Sequence, residues 1–162
     1  MRELHVVDAI ELARAYGVAD YSVKLDGDTL PLRVGEPATD LEAYWPAQRY
    51  IFITAWNPAS RPHSESTNRN ADASLVAQID AMGVPRQAAR AQGGSGGWSE
   101  PGWLVADLDL TRAERLARQF GQAAILAWQR GEPIRLRMLM QRPRSGPDLS
   151  AQRAAEYTDW VE

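Results

Sequence analysis

The chain has 162 residues, 44% hydrophobic and 24% charged, with a formal net charge of −3. Those values suit one globular domain with a sizeable core, argue against wholesale disorder, and supply no global field toward nucleic acid or anionic lipid. There is no cysteine, which excludes disulfides, thiolate catalysis and thiolate metal sites.

The first predicted element is a helix in "VVDAIELARAYG", where Val6, Val7, Ile10 and Ala13 share a face and Gly17 is a stop signal. "YSVKLDGDTLPLRV" alternates on both sides of Asp26-Gly27-Asp28 and reads as a hairpin. Pro31 cannot donate to a ladder, so the second strand is expected at an edge. "TDLEAYW" fits a helical turn capped by Thr39 or Asp40. "RYIFITAW", bounded by Pro46 and Pro58, is the strongest strand, and its near-continuous apolarity places it at the centre of a sheet.

"NRNADASLVAQIDAMG" is the next helix, with Leu75, Val76, Ile79 and Met82 as its stripe, Asn68 or Asn70 as the cap, and Gly83 as the end. "VPRQAARAQ" is a weak strand before the Gly-rich "GGSGG", and "GWLVADLDL" a good one. "LTRAERLARQFG" carries a capping-box pattern, Thr111 and Glu114, and an apolar stripe of Ala113, Leu116, Ala117 and Phe120. "QAAILAWQRGEPIRLRMLM" reads as two strands around Arg130-Gly131-Glu132. Beyond "RPRSGPD", residues 150–161 fit a short terminal helix. The division expected is one domain over residues 1–142 and a C-terminal extension over residues 143–162.

The element order predicts an α+β fold with one mostly antiparallel sheet and helices mainly on one face. A ferredoxin-like split βαβ core, with an added N-terminal helix and hairpin, is the natural candidate. A doubly wound parallel sheet is disfavoured, because the last strands form a hairpin and no Gly-x-Gly-x-x-Gly follows a strand.

Three segments carry candidate chemistry. The central strand runs into Asn57-Pro58, where an amide can face a ligand or simply open a turn. The polar stretch from Ser60 to Asn70, including His63, feeds a helix start, where free N–H groups and hydroxyls suit an anion; the plainer reading is a solvated, capped loop. Ser60 and His63 do not specify a triad, because no third partner is defined. "GGSGGWSEPGW" lacks the Gly-Lys-Ser/Thr ending of a P-loop. In an extended chain Trp98 and Glu100 point the same way. An aromatic face beside a carboxylate can hold a base, a sugar or a cation, or raise the Glu100 pKa for acid–base work. Gly121 is a C-cap by type, and Gln122 after it is a candidate ligand-facing amide.

Of the 18 basic residues only Lys24 is lysine, a bias that suits a GC-rich genome. Residues 110–144 carry eight Arg against Glu114 and Glu132, whereas residues 1–48 carry four bases and nine acids. Arg112, Arg115, Arg118, Arg135 and Arg137 are thus a candidate nucleic-acid face, weighed against an ordinary solvated surface. His5 and His63 lie far apart and predict no metal site, and no cofactor is expected. The opening "MRELHVVDAIELARAYG" has acids within its apolar part and does not read as a signal peptide. With no run near the roughly 20 apolar residues of a membrane span, the expected location is the cytoplasm, with no membrane partner.

"FITAWNPAS", "GWSEPGWLV" and "FGQAAI", in this order and spacing, resemble the bacterial domain-of-unknown-function family 3293, over about residues 18 to 140. The resemblance points to Asn57, Pro58, Asn68, Trp98, Glu100, Gly121 and Gln122, and implies no established activity. Its members often carry Ser near the position where this chain has Gly102. The site expected is one cleft formed by the FITAWNP strand end, the Asn68 helix start, the Trp-x-Glu loop and the FGQ turn. Asn57, Ser60, Asn68, Trp98 and Gln122 are its ligand-binding candidates, and Glu100 is its catalytic candidate. The function expected is binding of a small polar or phosphate-bearing ligand. The alternatives are a hydrolase or nuclease with Glu100 as general base, and a protein-interaction module.

Overall fold

The structure is a computed structural model describing residues 6–58, 61–93, 98–143 and 153–161. Helix α1 (Val6–Val18) leads into the hairpin β1 (Asp20–Leu25) and β2 (Asp28–Leu32). Then follow α2 (Thr39–Tyr44), β3 (Arg49–Ile53), α3 (Glu65–Ala81), β4 (Arg86–Gln92), β5 (Ser99–Ala106), α4 (Leu110–Gln119), β6 (Ala124–Gln129) and β7 (Arg135–Met138). A 3₁₀ turn (Arg153–Tyr157) and β8 (Thr158–Trp160) complete the chain order.

The fold is α+β, with one mostly antiparallel eight-stranded sheet in the order β2-β1-β4-β5-β3-β6-β7-β8. Within it, β3-α3-β4-β5-α4-β6 pairs in the spatial order β4-β5-β3-β6, with every neighbouring pair antiparallel. This is the split βαβ arrangement of a ferredoxin-like core. Pro31 sits in β2, at the end of the sheet, as its missing N–H requires. The sheet curls: past β2, Val34 bridges Ile134, and Gly35 N donates to Ile134 O at 2.8 Å.

Period-two alternation splits β3 between two cores. Ile51 and Ile53 pack with Leu75 and Ile79 of α3 and with Ala113, Leu116 and Ala117 of α4. Tyr50 and Phe52 face the other way, with Ile10 and Ala13 of α1 and Leu41 of α2. The core helices α3 and α4 therefore share one face, while α1 and α2 cover the second, so helices lie on both faces rather than mainly on one. The second face is as apolar as the first, and it too must be removed from water. The side chains of Val6 and Val7 lie outside the described residues.

Four local expectations are corrected. The cap of α3 is Ser64, whose side chain accepts from Thr67 N, rather than Asn68 or Asn70. Asp109 caps α4 in place of Thr111, and Glu114 pairs with Arg137 at 2.7 Å. A cap residue stands outside the helix, and α2 likewise starts at Thr39 without a side-chain cap. The fourth correction is at the end of the chain, where a 3₁₀ turn and a strand replace the expected helix. There β8 adds in parallel to the open side of β7, and Arg135 grips Asp159 through two 2.9 Å bonds. Residues 150–152 of that expected helix lie outside the described residues.

Candidate functional site

The site grows from the place where β3 leaves the sheet. Beyond Ile53 the chain no longer pairs regularly, but Thr54 keeps it close to β5: its hydroxyl donates to Pro101 O at 2.8 Å and accepts from Trp56 N at 3.0 Å. Asn57 then turns the chain, at a φ of +45°. Asparagine tolerates this left-handed region better than most residues because its short amide bonds locally.

Both polar atoms of that amide are engaged. Asn57 Oδ1 accepts from His63 N at 3.0 Å and from Asn68 Nδ2 at 2.8 Å. Its backbone N–H donates to Asn68 Oδ1 at 2.9 Å, and its Nδ2 donates to Glu100 Oε1 at 3.1 Å. One residue thus ties together the end of β3, the loop before α3, the first turns of α3 and the start of β5. Asn68 is only 2% exposed and stands behind Asn57 as its hydrogen-bond partner.

Glu100 reaches the site by strand alternation. Positions 100, 102, 104 and 106 of β5 share a face, and Leu104 and Ala106 belong to the α1-side core. A carboxylate therefore stands in a row otherwise made of Gly, Leu and Ala. Burial pushes its pKa up, and the Asn57 hydrogen bond only partly opposes this. Gly102 is required next to it: a methyl group there would come 2.9 Å from Ile53 O and 3.0 Å from the Phe52 ring. A serine side chain would meet the same obstruction.

Glu100, Asn57, Trp98 and Gln122 line one cavity of ≈ 40 Å³, small enough for a few waters or one compact group. Its walls include Tyr16, Tyr21, Phe52, Leu126 and Leu136. Cross-strand register explains their convergence: Tyr21 pairs with Ala91 and Ala91 with Glu100, while Phe52 pairs with Leu126 and Leu126 with Leu136. The Tyr21 hydroxyl donates to Tyr16 O at 2.7 Å. Burial, then the nearby Tyr16 and Glu100, push the Tyr21 pKa up, so it stays neutral. Gln122 Nε2 donates to Trp56 O at 3.1 Å, leaving its Oε1 without a hydrogen bond among the described residues. Gly121 beside it adopts φ +66° and lies against Pro58, which docks the FGQ turn on the Asn57-Pro58 turn.

Four of the six sequence candidates thus meet around one cavity, with Asn68 one bond behind them. Ser60 lies outside the described residues, as does Ser95 of the Gly-rich loop. The tyrosines, Phe52 and Thr54 were missed by sequence reasoning. The available signal was that Tyr21 and Phe52 occupy inward positions of alternating strands.

The arginine stripe is largely engaged elsewhere. Arg135 pairs with Asp159, Arg137 with Glu114, and Arg118 donates to Leu139 O at 3.3 Å. Arg112 and Arg115 are exposed. No cluster of metal-ligating side chains occurs among the described residues. No helix among them is long and apolar enough to cross a membrane.

Fold and site define an α+β protein with a ferredoxin-like centre and an acid-bearing pocket on the face away from its core helices. Residues 53–125, from the end of β3 into β6, match the family described as "Protein of unknown function (DUF3293)". The match bears out the resemblance read from "FITAWNPAS", "GWSEPGWLV" and "FGQAAI". No curated protein and no solved structure matches the chain.

Proposed function

We propose that the protein binds a small polar ligand in the pocket beneath Trp98, with Glu100 and Gln122 orienting it. The observation that carries this reading is the single anchored oxygen of Glu100. Asn57 holds Oε1, while Oε2 has no hydrogen bond among the described residues. An apolar wall with a few convergent polar atoms is the usual composition of a ligand site. A phosphate-bearing ligand is disfavoured there, because no Lys, Arg or His lines the cavity and a carboxylate does.

A second reading, general acid–base catalysis by Glu100, draws support from its raised pKa. In that case Asn57 is a positioning residue, since its donor is already directed at Glu100. A thermal-shift screen of amino acids, amides, polyols, nucleosides and alkylamines tests the binding reading. Compounds that stabilise the wild-type chain should lose their effect in both Glu100→Ala and Gln122→Ala. Stabilisation that survives both substitutions places binding elsewhere and overturns the proposal. Catalytic turnover of a stabilising compound, abolished by Glu100→Gln, would select the second reading.

A further inference from the structure

We infer that the pocket is shaped for the ammonium group of a small organic cation, a conclusion that rests on the small-ligand reading above. Hydrogen-bond directions make the first argument. Gln122 Nε2 faces the carbonyls of Trp56 and Phe120, at 3.1 and 3.5 Å, which fixes its oxygen as the open end. Asn57 Nδ2 faces Glu100, and the Tyr21 proton is directed at Tyr16 O. Thr54 uses its hydroxyl both to donate and to accept. Of the polar atoms of these side chains, the two without a hydrogen bond among the described residues, Glu100 Oε2 and Gln122 Oε1, are acceptors. Acceptors complement N–H donors and repel phosphate or carboxylate oxygens.

The walls supply the second argument. Tyr16, Tyr21, Phe52 and Trp98 all border the cavity. Aromatic faces attract cations through their quadrupoles, and the attraction strengthens when the cation leaves water. Charge supplies the third. Glu100 has no ion pair among the described residues, although it is half-buried on an apolar face. A desolvated carboxylate without a counter-ion is unfavourable, and an incoming ammonium would neutralise it. Burial pushes the Glu100 pKa up, and the Asn57 hydrogen bond only partly opposes this. The small volume limits the buried part to an ammonium with short substituents, any longer chain leaving through the mouth.

The test is an NMR titration of the ¹⁵N-labelled full chain at neutral pH, following the Trp98 indole and Gln122 side-chain signals. The probes are tert-butylammonium chloride, the similarly shaped neutral tert-butanol, and inorganic phosphate. The ammonium should bind the wild-type chain at least ~10-fold more tightly than the alcohol. That preference should vanish in Glu100→Gln, which retains an acceptor for Asn57. Equal affinity for alcohol and ammonium, or tighter binding of phosphate, overturns the cation inference and leaves the pocket reading standing. No saturable change at Trp98 or Gln122 with any probe overturns both. The wild-type comparison decides the sign on its own, should the variant fold poorly.

Discussion

Two glutamates stand at opposite ends of the inner face of β3, and they are treated differently. Glu42, on α2, is 7% exposed and satisfied at both oxygens: Trp128 Nε1 donates to Oε2 at 3.0 Å and Gly131 N to Oε1 at 2.7 Å. Trp128 in turn stacks on Tyr50, whose hydroxyl donates to Trp45 O. Glu100 is held at one oxygen only and borders a cavity. A buried carboxylate with each oxygen bonded is a structural clip joining distant segments. One that is half bonded, beside open space, keeps capacity for something outside the chain.

Removing each acid should separate the two roles. The largest loss is expected from Glu42→Ala, which strands the Trp128 and Gly131 donors. It should cost about 3 kcal/mol in urea unfolding, given the strength of bonds to charged acceptors and the penalty for buried unpaired donors. A loss below about 0.5 kcal/mol, within the range of ordinary surface substitutions, would erase the contrast with Glu100.

Asn57→Ala comes next, at about 2 kcal/mol, from lost hydrogen bonds and a left-handed backbone that alanine adopts poorly. Because the Asn57 bond is what lowers the Glu100 pKa, the substitution should also move the Glu100 titration to still higher pH. An unchanged titration in this variant would dissociate Asn57 from the acid.

The smallest effect, and of opposite sign, is expected from Glu100→Gln. A carboxyl whose folded pKa is raised is protonated in both states at low pH and contributes no difference there. As pH rises from the ordinary glutamate range through the folded value, the unfolded chain releases its proton first, and the wild type loses stability. The variant should therefore match the wild type in acid and exceed it at neutral pH in parallel urea titrations. A variant less stable at every pH would make Glu100 a structural residue like Glu42.

Much of this arrangement is legible in the sequence, for identifiable reasons. The apolar run of β3 fixes its central place, and the spacing of helices and strands around it leads to the ferredoxin-like order. Motif positions led to Asn57, Trp98, Glu100 and Gln122, which share a cavity, whereas Asn68 is their support. What escaped depends on non-local pairing. Glu42 and its partners Trp128 and Gly131 are 86 and 89 positions apart, and nothing local marks them. Tyr21 reaches the pocket only because β1 lies beside β4. Thr158–Trp160 extend as β8 because β7 offers them an edge.

The most direct test of the half-bonded acid is the titration of the Glu100 carboxyl by ¹³C NMR, with and without tert-butylammonium. The free protein should titrate above the ordinary glutamate range, and the added ammonium should move the midpoint downward as it stabilises the charged form. A midpoint at or below the ordinary range, or one that the ammonium leaves in place, would contradict the account.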